Sequence, residues 1–389
     1  MNRNTGMNAG QIIGTMNGLQ VFGLDIAKQV FQLHTVHMGT GEICNVQIKR
    51  AKVLEHFANL APCLVAIEAC GGAHHWAREL AKFGHTVKLI APQFVKPYVK
   101  TNKNDAADAE GICEAMSRSN MRFVPVKTVA QQDIQAIHRI RSELIKQRTM
   151  KGNQTRGLLA EYGVVVDKRL ERLRGALPSI LEDADNGLTA PMREMIDELR
   201  LDLVSLDDRV AQMDSKIDRH SKGAEALDAV KRLQQIPGIG PITATALVAA
   251  VGDGKSFKRG REMAAWLGLV PAQHSSGGKD RLLGISKRGD SYVRTLLIHG
   301  ARASQRAAVN KTDPRSTWVN ALGMRRHKNV AAVALANKNA RIAWAVLARE
   351  EDYCAQHKPA KASAAATHAL STINGNRHKT LKFNQLNQH

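Results

Sequence analysis

Residues 63–72, CLVAIEACGG, decide the fold of the N-terminal part of the chain. An apolar run of this length that ends in a turn signal is typical of a strand buried on both faces. Here the predicted strand covers residues 63–69, with Glu68 near its end, and Gly71 and Gly72 follow it. Residues 21–25, VFGLD, repeat the pattern, because a short apolar run again ends in an acid, Asp25. The two stretches predict a sheet that carries a carboxylate at the end of each of two strands.

The segments around these two strands alternate between strand and helix signals. We predict further strands at 30–36, 42–48 and 86–91, and helices at 51–60, 73–83 and 105–117. Three strands at the start indicate hairpins, and the later alternation indicates parallel crossovers. We therefore expect an α/β domain over residues 21–125, preceded by an N-terminal extension of residues 1–20, with Asn104 capping the last helix.

Strand signals vanish between residues 128 and 222, and apolar residues recur there at spacings of three and four. The two series are Ile134, Ile137, Ile140 and Leu144, and Leu199, Leu203, Leu206, Val210, Met213 and Ile217. This seam predicts a helical, coiled-coil arm over residues 126–225. Two interpretations stay open: helices that pack within their own domain, or an arm that also makes a dimer contact.

Residues 226–352 form a third, mainly helical block, and residues 353–389 form a tail rich in Ala, Ser, Asn and Lys that we expect to be disordered. The block opens with IPGIGP at 236–241, followed by an apolar helix at 242–251. PGIG is similar to the hairpin of a helix-hairpin-helix motif, in which Gly238 and Gly240 would let turn amides hold a phosphate. A tight turn between two helices is the alternative.

The net charge of the chain is +21, and it is concentrated in the last third. Residues 1–253 hold 32 basic and 28 acidic side chains (+4), residues 254–352 hold 19 and 7 (+12), and residues 353–389 hold 5 and none (+5). Such asymmetry indicates a polyanionic partner, most simply nucleic acid. With aromatic residues at only 4%, contacts to the phosphate backbone are favoured over base stacking.

Composition excludes several classes of protein. The five cysteines are odd in number and contain no CxxC pair, which argues against a disulfide framework and a zinc ribbon. No apolar run reaches the ~18 residues of a membrane span, and the N-terminus lacks the features of a signal peptide. We take the histidines His34, His37, His74 and His75 as structural or surface residues, because no second ligand pair at zinc spacing accompanies them.

Asp105 and Asp108 lie three residues apart, on one face at the start of a predicted helix. Alone, each acid has a structural explanation, such as a cap or a solvated first-turn residue. Together with Asp25 and Glu68 they match the way a ribonuclease-H-like fold holds two divalent ions. Hard oxygen ligands suit Mg²⁺ or Mn²⁺, and two such ions support phosphoryl transfer.

The chain as a whole resembles the DEDD transposases of bacterial insertion sequences, the insertion-sequence-110 family. The resemblance rests on VFGLDIAK, AIEACGGAHHWARELAKFGH, PQFVKPYVKTNKNDAADAEGICEA and KNVAAVALANKNARIAWAVLARE, and it covers nearly everything except the first ~20 residues and the tail. It implies an N-terminal domain similar to the Holliday-junction resolvase RuvC, with Asp25, Glu68, Asp105 and Asp108 as ligands of Mg²⁺. It also implies a C-terminal transposase domain with an essential serine just before a glycine.

The essential serine of the family corresponds to Ser276 in GLVPAQHSSGGKDRLLGISKRGDSYVRTLL, and the neighbouring Ser275 leaves that assignment open. Glycines in this stretch let the backbone approach a phosphate, and cations offset its charge. The candidate phosphate-binding cations are Lys279, Arg281, Lys287, Arg288 and Arg294. From spacing alone, a phosphate-binding loop without a nucleophile is the favoured interpretation, and only the resemblance supports the nucleophile.

These observations predict a site-specific DNA transposase in the bacterial cytoplasm, associated with the nucleoid. The resemblance further implies an element-encoded guide RNA and a homo-oligomer, a dimer or a dimer of dimers. Two alternatives stay open: a metal-dependent junction nuclease that uses water in place of a serine, and a non-catalytic nucleic-acid-binding regulator.

Overall fold

The computed structural model describes most of the chain. The described residues are 12–13, 21–37, 43–99, 104–118, 120–222, 227–275, 279 and 281–356.

Within the described residues, seven strands form one mixed sheet. They are β1 (Ile12–Ile13), β2 (Val21–Asp25), β3 (Val30–His37), β4 (Ile43–Lys49), β5 (Leu64–Glu68), β6 (Thr86–Ile90) and β7 (Phe123–Val124). β2, β3 and β4 are antiparallel neighbours, whereas β2, β5 and β6 run parallel, as predicted. β1 lies inside the segment predicted as an extension and pairs with the end of β3.

Helices cover both faces of this sheet: α1 (Val53–Ala58), α2 (Ala73–Ala81), α3 (Pro92–Val95) and α4 (Asp105–Met116). Phe22 and Leu24 of β2 face the core shared with α1 and α2, while Val21 faces the core shared with α3 and α4. This two-sided burial explains why β2 and β5 are continuous apolar runs and do not alternate with polar residues.

The arm is a helical hairpin within one chain, made of α5 (Val129–Glu161), α6 (Leu170–Glu182) and α7 (Ala190–Lys222). α5 and α7 have 33 residues each, which makes them about 50 Å long. All six predicted seam positions of α7 are buried, and α7 packs against α5. The seam predicted on α5 is wrong at Ile140, which is 48% exposed, because the 3.6-residue period turns His138 inward instead.

The remaining described elements form the helical block around one apolar core. They are α8 (Asp228–Gln234), α9 (Pro241–Val251), α10 (Gly260–Trp266), β8 (Pro271–Gln273), β9 (Leu282–Ile285), α11 (Ser291–Ala307), α12 (Pro314–Arg325) and α13 (Lys328–Arg349). The antiparallel hairpin of β8 and β9 is a feature that the sequence prediction missed. Among the described residues, no helix combines the length and apolarity that a membrane span requires.

Candidate active site and nucleic-acid surface

Strand register places Asp25 beside Glu68. Leu24 of β2 pairs with Ile67 of β5 in a parallel ladder, and each acid is the next residue of its strand. The carboxyl ends of parallel neighbours meet at one edge of the sheet, so the two acids lie side by side there. Both are half-buried. This edge, with its acids, is called the carboxylate edge below.

Helix α4 adds Asp105 and Asp108, both in its first turn. The helix begins after Asn104, whose side-chain oxygen accepts the backbone N–H of Ala107 at 2.8 Å, as the sequence predicted. α4 packs directly on β2. The two backbones are so close that a Cβ atom at Gly23 would lie 2.3 Å from the carbonyl oxygen of Ala109. Only glycine permits this approach, and Gly23 shares its face of β2 with Asp25.

The four acids influence one another electrostatically. The pKa of Asp25 is raised to about 6, first by burial and then by the negative charges of Asp108, Asp105 and Glu68. A hydrogen bond from the backbone of Ile26 acts in the opposite direction. Like charges held this close disfavour ionisation of Asp25 unless a cation compensates them.

The chemistry of this donor set fits a divalent cation of the hard type. Four carboxylates supply oxygen ligands, and their mutual repulsion is relieved when a cation binds between them. Within the described residues, no three Asp, Glu, His or Cys side chains are close enough to hold a metal ion as they stand. The four acids are therefore gathered at one edge without being closed into a coordination shell.

The serine loop joins β8 to β9. Ser276 lies outside the described residues, whereas Ser275 is described and exposed. The Ser275 Oγ accepts hydrogen bonds from Gln273 Nε2 at 2.9 Å and from the backbone N–H of Arg281 at 3.3 Å. These hydrogen bonds link Ser275 to residues on both sides of the loop, Gln273 and Arg281.

Four of the five predicted cations are exposed: Lys279, Arg281, Lys287 and Arg288. Arg294 differs from them, because it is buried and donates to the carbonyl oxygens of Leu267 at 3.0 Å and Arg288 at 2.9 Å. Its guanidinium anchors the loop to the end of α10. We therefore correct the interpretation of Arg294 from a phosphate contact to a structural residue.

The turn at residues 237–240 packs tightly against α11. Gly238 has a φ of +92°, and a Cβ there would lie 2.7 Å from the carbonyl oxygen of Gly300, so packing alone requires glycine at this position. Gly240 is exposed and directly precedes α9, with nothing within 4 Å of a Cβ placed on it. Of the two glycines, Gly240 is the better placed to let an exposed helix N-terminus meet a phosphate.

Two buried polar groups were missed by sequence reasoning. The guanidinium of Arg315 donates to the carbonyl oxygen of Pro237 at 2.5 Å, to Ser304 Oγ at 3.0 Å and to Asn339 Oδ1. These hydrogen bonds stabilise the turn at residues 237–240. His138 connects the arm to the helical block through Tyr292 and Thr245, each at 3.0 Å. An arginine or a histidine on an otherwise polar helix gives no sequence signal of such a role.

Two of the histidines weighed as metal ligands, His34 and His74, have other hydrogen-bond partners. His34 is buried and its Nδ1 lies 2.9 Å from Asn45 Oδ1, and His74 Nδ1 accepts the backbone N–H of Lys127 at 3.2 Å. Burial and nearby cations lower the pKa of His74 to about 4. His75 is exposed, and the side chain of His37 lies outside the described residues.

Comparison with known proteins accounts for this combination of acidic sheet and basic helical block. Residues 22–164 match a family model described as a transposase of the DEDD type, and residues 230–316 match the model of the transposase IS116/IS110/IS902 family.

Full-length relatives agree with these matches. A protein of Pseudomonas aeruginosa named as a probable family 20 transposase is 54% identical over 86% of this chain and 98% of its own length. The transposase for insertion sequence element IS1111A of Coxiella burnetii is 47% identical over 87% and 92%. The transposase for insertion sequence element IS1328 of Yersinia enterocolitica is 38% identical over 85% and 97%. The chain belongs to the IS116/IS110/IS902 family of transposases and is a DNA transposase of the DEDD type.

Proposed function

We propose that this transposase cuts and rejoins DNA at the ends of an insertion sequence and its target with two sets of groups. Asp25, Glu68, Asp105 and Asp108 hold Mg²⁺ or Mn²⁺, and Ser276 is the nucleophile. The observation that carries the proposal is the position of four carboxylates at one sheet edge, where burial and the three neighbouring acids raise the pKa of Asp25 to about 6. Perturbed acids gathered in this way are typical of catalytic sites.

The divalent ions would offset negative charge on the scissile phosphate and favour the ionised form of the attacking hydroxyl. The protein supplies the geometry for this. The paired register of β2 and β5 fixes Asp25 and Glu68, and the cap at Asn104 fixes the first turn of α4. Because Asp25 must be ionised to bind a cation, we expect metal binding to weaken as the pH falls through about 6.

Ser276 is preferred over Ser275 as the nucleophile because the Ser275 oxygen already accepts two hydrogen bonds. In the proposed step, Ser276 Oγ gives its proton to solvent and forms a bond to phosphorus. The bond from phosphorus to the leaving deoxyribose oxygen breaks and that oxygen takes up a proton from solvent, which gives a phosphoserine ester and a free DNA hydroxyl. A hydroxyl on a second strand then attacks the ester and releases the serine, so rejoining needs no ATP.

The acids and the serine loop lie on different parts of the chain, which we assign to domains at 21–125 and 226–352. The arm at 126–225 connects them, and docking of the domains, within one subunit or between subunits of an oligomer, would complete the site. Guidance by an element-encoded RNA suits this protein, since base pairing would then read the sequence. The exposed cations beside the serine loop would contact the phosphate backbone.

The test incubates the full-length protein with element-end DNA, the cognate RNA and Mg²⁺, and detects covalent protein–DNA adducts on denaturing gels. We expect adducts with the wild type and with Ser275→Ala, and none with Ser276→Ala or Asp25→Asn. Asp133→Asn, an exposed acid on α5, is the matched control and should behave as the wild type.

Three results would contradict parts of the proposal. Adducts with Ser276→Ala would show that Ser276 is not the nucleophile, and cleavage without adducts in every variant would favour the junction nuclease. Full activity without RNA would show that the protein needs no guide RNA.

A further inference from the structure

A cleft lies near the carboxylate edge, on the face of the sheet that α1 and α2 cover. It has a volume of about 740 Å³ and is lined by the turn between β2 and β3, the end of β4 and the start of α2. Lys28, Lys49 and Arg50 provide its charge, and His75 and Trp76 also line it. None of its lining residues is acidic. We call it the basic cleft.

The cations of the basic cleft are unpaired. Lys28, Lys49 and Arg50 are exposed, and none of them forms an ion pair with an acid of the described residues. Lys52, which follows two residues after Arg50, differs because it is paired with Glu55 at 2.7 Å. Unpaired cations that converge on one concavity create a positive potential that attracts an anion.

The guanidinium of Arg50 is oriented by stacking, and it donates no hydrogen bond to the described residues. Its guanidinium stacks over Trp76 at 5.2 Å and Phe31 at 5.8 Å, and its backbone N–H donates to the carbonyl oxygen of Gln29 at 2.7 Å. Stacking on aromatic faces orients the planar fork and leaves its N–H groups free. Arginine in this state is well suited to bind a phosphate in bidentate fashion.

Trp76 gives the cleft a fixed aromatic wall under Arg50. The residue is only 4% exposed and lines the cleft, so its ring is held in place by the packing around it. A guanidinium stacked on such a ring keeps its planar fork in one orientation.

The position of the cleft indicates which anion it binds. Lys28 is three residues from Asp25, so their Cα atoms are at most about 11 Å apart. His75 lies in the first turn of α2, which follows Glu68 by way of a short turn. With one phosphate per ~3.4 Å of helix axis on each strand, the cleft lies within about three phosphates of the carboxylates.

We propose that the basic cleft binds the phosphodiester backbone of the DNA strand whose scissile phosphate lies at the carboxylate edge. This proposal rests on the proposed function for the position of that scissile phosphate. The binding itself needs no catalysis.

The test measures the affinity of the full-length protein for a 30-base-pair duplex between 50 and 200 mM salt, in EDTA so that no cleavage occurs. Each phosphate contact contributes about 0.9 to the slope of log affinity against log salt. We assume that the triple variant, Lys28→Ala with Lys49→Ala and Arg50→Gln, loses two phosphate contacts. Raising the salt from 50 to 200 mM should then weaken binding of the triple variant about ten-fold less than it weakens binding of the wild type. Lys52→Ala, a neighbouring cation with its own acid partner, is the matched control and should follow the wild type.

Equal salt slopes for the wild type and the triple variant would overturn the proposal, and so would an equal loss in Lys52→Ala. A loss confined to a single-stranded RNA of the same length, with duplex binding unchanged, would also overturn it. Trp76→Phe retains an aromatic ring under Arg50, so it should keep the salt slope of the wild type. Because binding is measured without metal, loss of adducts in Ser276→Ala or Asp25→Asn has no bearing on this result.

Discussion

The carboxylate edge and the turn at 237–240 both depend on a close backbone contact, but different forces hold them. At the carboxylate edge, strand register aligns Asp25 with Glu68, and Gly23 lets α4 approach β2. At the turn, the side chain of Arg315 reaches across the helical block to hydrogen-bond a backbone carbonyl. The first arrangement depends on local backbone geometry, and the second depends on a buried cation 78 residues away.

The largest effect should come from Gly23→Ala, which tests whether backbone contact alone holds the carboxylate edge. A Cβ at 2.3 Å from the Ala109 oxygen forces α4 away from β2, and we expect a loss of about 5 kcal/mol or more. The measurement is the thermal unfolding midpoint together with metal-dependent cleavage. Gly71→Ala, in open space on the same domain, is the control and should change neither. A normal midpoint for Gly23→Ala would show that α4 can shift at little cost.

Arg315→Met tests the other side of the comparison. It leaves the Pro237 carbonyl and Asn339 without a charged donor inside the helical block, and we expect a loss of about 4 kcal/mol. The loss should appear as a lower unfolding midpoint for the helical block, while the carboxylate edge keeps its metal binding. Arg325→Met, on an exposed position of α12, is the control. Equal unfolding midpoints for the two variants would mean that the turn at 237–240 does not depend on Arg315.

This contrast explains how much was predictable from the sequence. The order of strands and helices through α4, the neighbouring acids and the cap at Asn104 all follow from local patterns: apolar runs, strand ends and a capping residue. The same patterns identify the family.

The helical block was less predictable because its determinants are non-local. Arg294 is a cation in a basic stretch, and nothing in that stretch distinguishes its buried role from the exposed role of Arg288. The hairpin of β8 and β9 is too short for strand periodicity, with three and four residues. On α5, the polar residue His138 is buried, whereas the predicted seam residue Ile140 is exposed.

The third effect concerns His138, which joins the arm to the helical block. The Thr245 hydroxyl donates to the carbonyl oxygen of Pro241, so His138 Nε2–H donates to Thr245, and in the neutral ring Nδ1 accepts from the Tyr292 hydroxyl. Burial, with a smaller contribution from Arg141, lowers the pKa of His138 to about 4. Since the unfolded chain has the ordinary value of 6.5, it binds the proton more tightly than the folded protein between these limits.

The stability contributed by neutral His138 is therefore complete above pH 6.5 and is lost as the pH falls towards 4. Across this window we expect a loss of about 3 kcal/mol, measured as the shift of the unfolding midpoint between pH 7.5 and pH 4.5. His138→Gln removes the titrating group and should flatten this part of the pH profile, while His75→Gln, at an exposed position, should retain it. A profile unchanged in His138→Gln would show that other groups cause the acid sensitivity.

The smallest expected effect, that of Asn104→Ala, gives the sharpest view of the carboxylate edge. The cap to Ala107 stabilises a helix start by about 1 kcal/mol, so the unfolding midpoint should fall only slightly. The first turn of α4 carries both Asp105 and Asp108, and fraying of that turn separates them from Asp25. Metal affinity, measured by titration with Mn²⁺, should therefore fall by up to the ~5-fold that 1 kcal/mol represents. Asn104→Ser, which keeps a capping oxygen, should restore both quantities. If Asn104→Ala lowers the midpoint and leaves Mn²⁺ affinity unchanged, then Asp25 and Glu68 alone dominate binding, and the contribution of α4 to the metal site has to be abandoned.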